Sequence, residues 1–300
     1  VSLRIVTPGL YTTLADAGRP GYRSLGVPVG GAADRWSLAL GNALVGNPPD
    51  TAALEFTLTG PTVQADTELA CVVYGAPFTL ASDRQRLTVG TTFTLPAGDA
   101  LRIGITPRGL RAYLCVRGGF HEKHVLGSQS SLAPLAAGAE LSCCPGAIGG
   151  RLIRPNLTWN QEPRTLRVLP GPQADWFRTE EFYPQEFRVT ELSNRMGLRL
   201  QGQPLTRPGR ELLSEPVSPG AVQVTRDGQT IVLGVDGQTI GGYPKIAQVI
   251  SADLDKLGQL RPGDGVCFRP VSLEEAEAIY RQKQAELHEW VLRLRTTLSA

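Results

Sequence analysis

Residues 230–250 read Thr-Ile-Val-Leu-Gly-Val-Asp-Gly-Gln-Thr-Ile-Gly-Gly-Tyr-Pro-Lys-Ile-Ala-Gln-Val-Ile. Two apolar, β-branched runs, Ile231 to Val235 and Ile246 to Ile250, have the length of buried strands. Between them lie Asp236, Gln238 and Thr239, then the Gly241-Gly242 pair, then Tyr243-Pro244-Lys245. Paired glycines allow positive φ or close backbone approach to a ligand. Pro244 fixes φ just before the only lysine between Lys123 and Lys256. A strand, a polar glycine loop and a second strand mark a β-rich fold, and polar groups on such a loop suit a ligand site.

Moving outward, this stretch has an echo earlier in the chain. Val72 to Thr79 aligns with Val232 to Thr239, and Glu55…Gly60 with Glu215…Gly220. Leu3 to Gly9 aligns with Leu166 to Gly171, and Pro96-Ala97-Gly98-Asp99-Ala100-Leu101 with Arg261-Pro262-Gly263-Asp264-Gly265-Val266. The offset stays at roughly 160 residues, which reads as a duplicated unit. The expected division is a first β-rich domain over 1–150 with an inserted helix, a second over 164–271 and a terminal helix over 272–300. Cys144 to Pro163, rich in Gly, Pro and Asn, reads as the linker. Asp34 is placed to cap a helix over Arg35 to Val45, with Gly46 at its end. Ser272-Leu273-Glu274-Glu275 is a capping box that opens a helix over Ala276 to Arg295. Trp290 and Leu292 of that helix are candidates for an exposed partner face.

Composition narrows the function classes. The 300 residues are 41% hydrophobic and 19% charged with net charge +2, the balance of a globular protein. No basic run interleaves with aromatics, so nucleic acid is not an expected partner. No apolar stretch reaches membrane-spanning length and no leader pattern opens the chain, so the expected location is the cytoplasm. The 34 glycines and 23 prolines predict many turns. Five cysteines, an odd count, argue against a disulfide framework. His121 and His124 with Cys143 and Cys144 are the only plausible zinc donors, and no metal site is expected. There is no Gly-x-x-x-x-Gly-Lys-Ser/Thr phosphate cradle and no Gly-x-Ser-x-Gly elbow. Met196 is the only methionine and no lysine adjoins it, so any biotin must arrive on another chain.

A second polar constellation is Ser193-Asn194-Arg195-Met196-Gly197, just before an alternating Leu-Arg-Leu run. Arg195 offers a planar fork that grips a carboxylate or bridges two loops through Asp236. Further motifs precede it in order: Thr12-Thr13-Leu14, Asp16-x-Gly18-Arg19-x-Gly21, Gly31-Ala32-Ala33-Asp34, Asn42-x-Leu44-Val45-Gly46-Asn47, Leu54-Glu55, Arg117-Gly118-Gly119 and Leu126-Gly127-Ser128. With the 236–245 loop, the set resembles the C-subunit family of bacterial 5-oxoprolinase over nearly the whole chain. That family is also called Kip-inhibitor antagonist or allophanate hydrolase subunit 2, and is similar to the carboxyltransferase region of urea carboxylase. The chain departs from the pattern at Ile240, where Thr or Ser is common, and at Glu215-Pro216.

The resemblance implies two tandem cyclophilin-like β-barrel domains in a mainly β chain. It implies a non-autonomous subunit of an ATP-dependent complex that hydrolyses 5-oxoproline (pyroglutamate) to glutamate. The implied partners are a KipI-like B component and a LamB/YcsF-like A component of 5-oxoprolinase. Two alternatives stand beside it: a biotin-dependent carboxyltransferase for a urea-like or amide substrate, with biotin in trans, and a regulatory protein that antagonises a kinase-inhibitor partner. The residue reading names Lys245 and Arg195 as catalytic candidates. Asn194, Gln238, Asp236 and Tyr243 are substrate-binding candidates, and Asp34 and Arg19 of the first half are further ones.

Overall fold

The computed structural model describes residues 2–131, 133–154, 164–206 and 209–296. The section of the expected linker from 155 to 163 lies outside the described residues. The chain forms two compact units, one of Val1–Arg19, Gly30–Leu157 and Ala285–Ala300, the other of Pro20–Val29 and Thr158–Gln284. Two segments therefore depart from the expected division at 1–150, 164–271 and 272–300. Residues 20–29 join the second unit, and the terminal helix is shared.

The first unit contains β1 (Ser2–Thr7), β2 (Tyr11–Ala15), α1 (Arg35–Val45), β3 (Ala53–Thr57), β4 (Thr62–Ala65), β5 (Leu69–Gly75), β6 (Leu80–Ser82), β7 (Arg86–Leu87), β8 (Phe93–Leu95), β9 (Ala100–Ile103), β10 (Arg111–Val116) and β11 (Glu140–Ser142). They form a sheet in the order β11-β1-β4-β9-β6-β7 and another in the order β2-β3-β10-β5-β8. β5 and β10 are buried along their whole length, which explains why they read as unbroken apolar runs. α1 takes the expected bounds. Asp34 caps it by accepting from the Ser37 backbone N–H at 2.9 Å, and Gly46 ends it in the left-handed region. Its apolar residues extend beyond a single stripe: Ser37 to Val45 are all buried. Leu38, Leu40 and Leu44 share a core with Val72, Tyr74, Tyr113 and Cys115.

The second unit contains β12 (Arg164–Pro170), α2 (Thr179–Phe182), β13 (Phe187–Val189), β14 (Gly197–Gln201), β15 (Glu215–Pro216), β16 (Ala221–Val224), β17 (Thr230–Leu233), β18 (Ile240–Gly241), β19 (Lys245–Val249), α3 (Leu254–Leu257) and β20 (Gly265–Pro270). Seven strands close a barrel in the order β12-β19-β16-β17-β14-β13-β20, with β20 and β12 parallel at the seam. The interior holds Val222, Val224, Val232, Ile246 and the aromatic group Phe182, Phe187 and Phe268. Burying each large apolar side chain is worth about 1.5–3 kcal/mol. β15 and β18 form a separate two-stranded ribbon.

The turn before β9 and the turn before β20 repeat one local design. Gly98 and Gly263 both take positive φ, and the backbone N–H groups of Asp99 and Asp264 donate back to the Pro96 and Arg261 carbonyls. The strands that follow have different neighbours, β4 and β6 for β9 but β12 and β13 for β20.

α4 (Leu273–Thr296) opens with the Ser272 hydroxyl accepting from the Glu275 N–H at 3.1 Å. Ala276 and Ile279 pack with Ile250, Ala252 and Val271, while Leu287, Val291 and Leu294 join the core of the first unit. Trp290 packs against that core, so only Leu292 of the expected partner face is exposed, at 47%. Among the described residues no helix is long and apolar enough to cross a membrane.

Candidate functional site

The barrel wall builds a polar corner on its outer side. Along β16, Val222 and Val224 point into the core, so the alternation of a strand turns Gln223 outward. Its register partner is Lys245 on β19, and the ladder shifts by one residue between Val222 and Gln223. Such a bulge re-aims side chains and is common beside active sites. The β15–β18 ribbon lies over this wall: Val217 clusters with the outward-facing Ala221, Ile231 and Leu233. Under that cover Lys245 is 6% exposed and Gln223 1%.

A buried ammonium requires a counter-charge. Glu215 on the ribbon supplies it, pairing with Lys245 Nζ. Gln173 latches both. Its side-chain carbonyl accepts from the Lys245 backbone N–H at 3.0 Å, and its amide donates to Glu215 Oε1 at 2.8 Å. The hydrogen bond from Lys245 holds the Glu215 carboxyl below the usual carboxylate range; burial opposes this and Gln173 reinforces it. Glu215 Oε2 accepts no hydrogen bond among the described residues. The site thus presents a fixed cation, an ionised carboxylate with an oxygen to spare and an amide that locks their geometry. Such a set can hold an amide N–H on the carboxylate and stabilise negative charge on the amide oxygen.

Two glycines make room. A Cβ on Gly171 would collide with the Lys245 carbonyl oxygen, and one on Gly241 would meet Gln223 Nε2 and Gln238 Nε2 at 2.8 Å. Neither Gly241 nor Gly242 takes positive φ. Their role is close approach, and Gly241 belongs to a strand rather than a hairpin turn.

The expected site residues separate into three groups. Lys245 stands at the polar corner, as the first residue of β19 rather than on a loop. Gln238 reaches the same corner by its side-chain amide near Gly241, while its backbone carbonyl accepts from Arg23 at 3.3 Å. Tyr243 is half-buried and makes no side-chain hydrogen bond among the described residues.

Arg195 and Asp236 form the loop bridge. Arg195 Nε and Nη2 donate to the two carboxylate oxygens at 2.6 and 3.0 Å. Asn194 folds back onto its own turn, its side-chain oxygen accepting from the Met196 N–H at 2.8 Å. Lys245 makes no bond to Arg195, and β16 and β17 stand between their strands in the ladder. Arg195 and Lys245 thus make separate ion pairs, each with its own carboxylate. A buried guanidinium satisfies itself with the nearest carboxylate, and Asp236 provides one.

Asp34 and Arg19 are engaged within the first unit. Both Asp34 carboxylate oxygens accept from Ser37. Arg19 Nε donates to the Val125 carbonyl at 3.0 Å, and Nη2 to that of Ser130. Beside it Asp16 accepts from Ser128 Oγ at 2.6 Å and from the Gly18 and Gln129 N–H groups at 2.7 Å. Burial pushes the Asp16 carboxyl up, but these bonds outweigh it and hold the group below its ordinary range. His121 Nε2 lies 3.6 Å from Cys144 Sγ, and no three His, Cys, Asp or Glu side chains converge as a metal site among the described residues.

Four residues of the corner escape a sequence reading: Gln173, Glu215, Gln223 and Arg23. Glu215 had one signal, its match to Glu55 in the internal echo, and both glutamates pair with a cation, Glu55 with Arg111 and Glu215 with Lys245.

Comparison with known proteins adds family. The model of the carboxyltransferase domain, subdomain A and B, matches residues 25–270. The 5-oxoprolinase C subunit of Escherichia coli K12 is 35% identical, across 97% of this chain and 98% of that protein. Urea amidolyase of Saccharomyces cerevisiae is 31% identical across 93% of this chain but only 17% of its own length. The crystal structure of the Kluyveromyces lactis urea amidolyase superposes with a TM-score of 0.86 at 28% identity, covering 96% of this chain and 20% of that one. The chain belongs to the carboxyltransferase subdomain A and B family.

Proposed function

We propose that this chain is the C subunit of an ATP-dependent 5-oxoprolinase, acting in the cytoplasm with a KipI-like B component and a LamB/YcsF-like A component. The observation that carries the reading is the Lys245–Glu215–Gln173 set under the β15–β18 ribbon. It is suited to a lactam: Glu215 Oε2 accepts the ring N–H, and Lys245 stabilises charge that develops on the ring carbonyl oxygen. A lactam is a poor electrophile, and ATP supplies a phosphoryl group that turns the amide oxygen into a leaving group. This chain has no phosphate-cradling glycine motif, so its share of the work is to hold and polarise the lactam. The 5-oxoprolinase relatives, matched along nearly their full length, favour this reading.

A second reading, a carboxyltransferase for a urea-like amide with biotin carried on another chain, is favoured by the family match and the urea amidolyases. The same corner would then hold the amide that receives the carboxyl group.

Reconstitution separates the two. The purified chain alone is expected to release no glutamate from 5-oxoproline with ATP, since its sequence carries no phosphate-cradling glycine motif. The complex with both partners is expected to do so. Turnover by the isolated chain, or a complex that carboxylates urea from a biotinylated carrier and leaves 5-oxoproline intact, would overturn the proposal.

A further inference from the structure

Among the described residues of the second unit, two buried side-chain nitrogens have neither a hydrogen-bond nor an ion-pair partner, Arg164 Nη1 being paired with Asp264. Gln223 Nε2 is one: the residue is 1% exposed, and its amide nitrogen makes no hydrogen bond among the described residues. Arg23 Nη1 is the other: the residue is half-buried, but this nitrogen is itself buried and unbonded among the described residues. An unmet buried donor costs about 1–3 kcal/mol, more if charged, and native proteins leave few of them without a reason.

Both donors belong to one corner. Arg23 Nη2 donates to the carbonyls of Val217 and Gln238. Val217 in turn donates to the Thr239 carbonyl at 3.0 Å, which ties it to the strand carrying Gly241. Gln223 Nε2 lies 2.8 Å and Val217 Cγ1 3.4 Å from the point a Gly241 Cβ would occupy. Gln223 is also the register partner of Lys245. The guanidinium and the amide thus flank the ribbon that covers the Lys245–Glu215 pair.

The electrostatics are unbalanced in one direction. Four other buried or half-buried cations of the second unit pair with a carboxylate: Lys245 with Glu215, Arg195 with Asp236, Arg167 with Asp253 and Arg164 with Asp264. Arg23 has none among the described residues, and burial alone lowers its affinity for a proton. A half-buried guanidinium with one nitrogen unbonded and an unbonded amide N–H at the same ribbon match a planar anion with two acceptor oxygens.

We infer that Arg23 and Gln223 form a carboxylate subsite beside Lys245, which selects small carboxylic acids over neutral amides. This rests on the lactam reading in one respect: the carboxylate that fits it is that of 5-oxoproline, whereas urea has none. Binding is non-covalent. Arg23 and Gln223 hold the carboxylate, and the ring amide lies against Glu215 and Lys245.

The test is calorimetric binding by the full chain, alone and in the reconstituted complex, with four probes: 5-oxoproline, 2-pyrrolidone (the same ring without the carboxylate), acetate and inorganic phosphate. Arg23→Met is expected to weaken 5-oxoproline at least about tenfold and to leave 2-pyrrolidone within about twofold. Gln223→Leu is expected to weaken 5-oxoproline about threefold or more with the same selectivity. If Arg23→Met does not fold or assemble, Arg23→Lys keeps the charge but loses the fork, and should still weaken 5-oxoproline selectively. The inference is overturned if the variants bind 5-oxoproline as the wild type does, or lose both lactams alike. Arg23-dependent binding of phosphate without binding of any carboxylate overturns it too, as does a wild type that binds no carboxylate. Arg23-dependent acetate binding without any 5-oxoproline binding would keep the subsite and remove the lactam reading. Full 5-oxoproline turnover by an Arg23→Met complex at limiting substrate would remove the subsite and keep the lactam reading.

Discussion

Replacing Lys245 with methionine is expected to lower ATP-dependent 5-oxoproline turnover by the reconstituted complex at least about tenfold, on the order of 1.4 kcal/mol of transition-state stabilisation. Assembly should be preserved. Methionine fills much of the volume of the lysine stem, so the packing against Gln223 and the ribbon survives. The lost partner leaves Glu215 without its ammonium, but the Glu215 side chain is 34% exposed and regains water. The structural cost is therefore modest while the charge aimed at the ligand disappears. Lys245→Arg keeps the charge but not the geometry, and should fall between the two. The quantity to measure is kcat for glutamate release, beside sedimentation of the complex. Wild-type turnover by an assembled Lys245→Met complex would remove the corner from the chemistry.

The second large effect concerns stability. In the first unit Glu55 is 1% exposed on β3. It accepts from Tyr113 Oη at 2.7 Å and from the Ala33 N–H at 2.9 Å, and pairs with Arg111 at 3.4 Å. Tyr113 Oη in turn accepts from the Asp34 N–H at 2.8 Å, so one carboxylate fastens the loop that begins α1. Glu55→Ala removes the counter-charge of a guanidinium only 5% exposed. Breaking a buried pair from one side costs about 3–5 kcal/mol. At about 2–4 °C per kcal/mol for chains of this size class, thermal unfolding should begin on the order of 10 °C lower. Tyr113→Phe, which spares the charge pair, should cost less. A Glu55→Ala shift within a degree or two of wild type would contradict this account of the network.

Local features were legible where the local sequence decides them. Asp34 and Gly46 bound α1 because a cap and a left-handed glycine act within one turn. The apolar runs around Val72, Tyr113, Val232 and Ala247 became β5, β10, β17 and β19 because a strand buried on both faces needs no alternation. The site was less legible, for a different reason. Lys245 stands out as a lone lysine, yet its burial depends on the ribbon at Glu215, 30 residues earlier. Gln223 sits inside the run Ala221 to Val224 and reads as an outward-facing strand residue; only the ribbon buries it. Arg23 belongs to a segment that leaves the first unit for the second, and no spacing rule announces such an exchange. Arg195 illustrates the opposite case. Its fork was visible, but the sequence could not say whether Asp236 or a ligand would fill it.

The most direct test of the central claim is the position of 5-oxoproline in a crystal structure of the assembled complex. The account predicts the ring amide within hydrogen-bond distance of Glu215 Oε2 and Lys245 Nζ, under the β15–β18 ribbon. Well-ordered 5-oxoproline bound elsewhere in the complex, with the Lys245–Glu215 pair untouched, would contradict it.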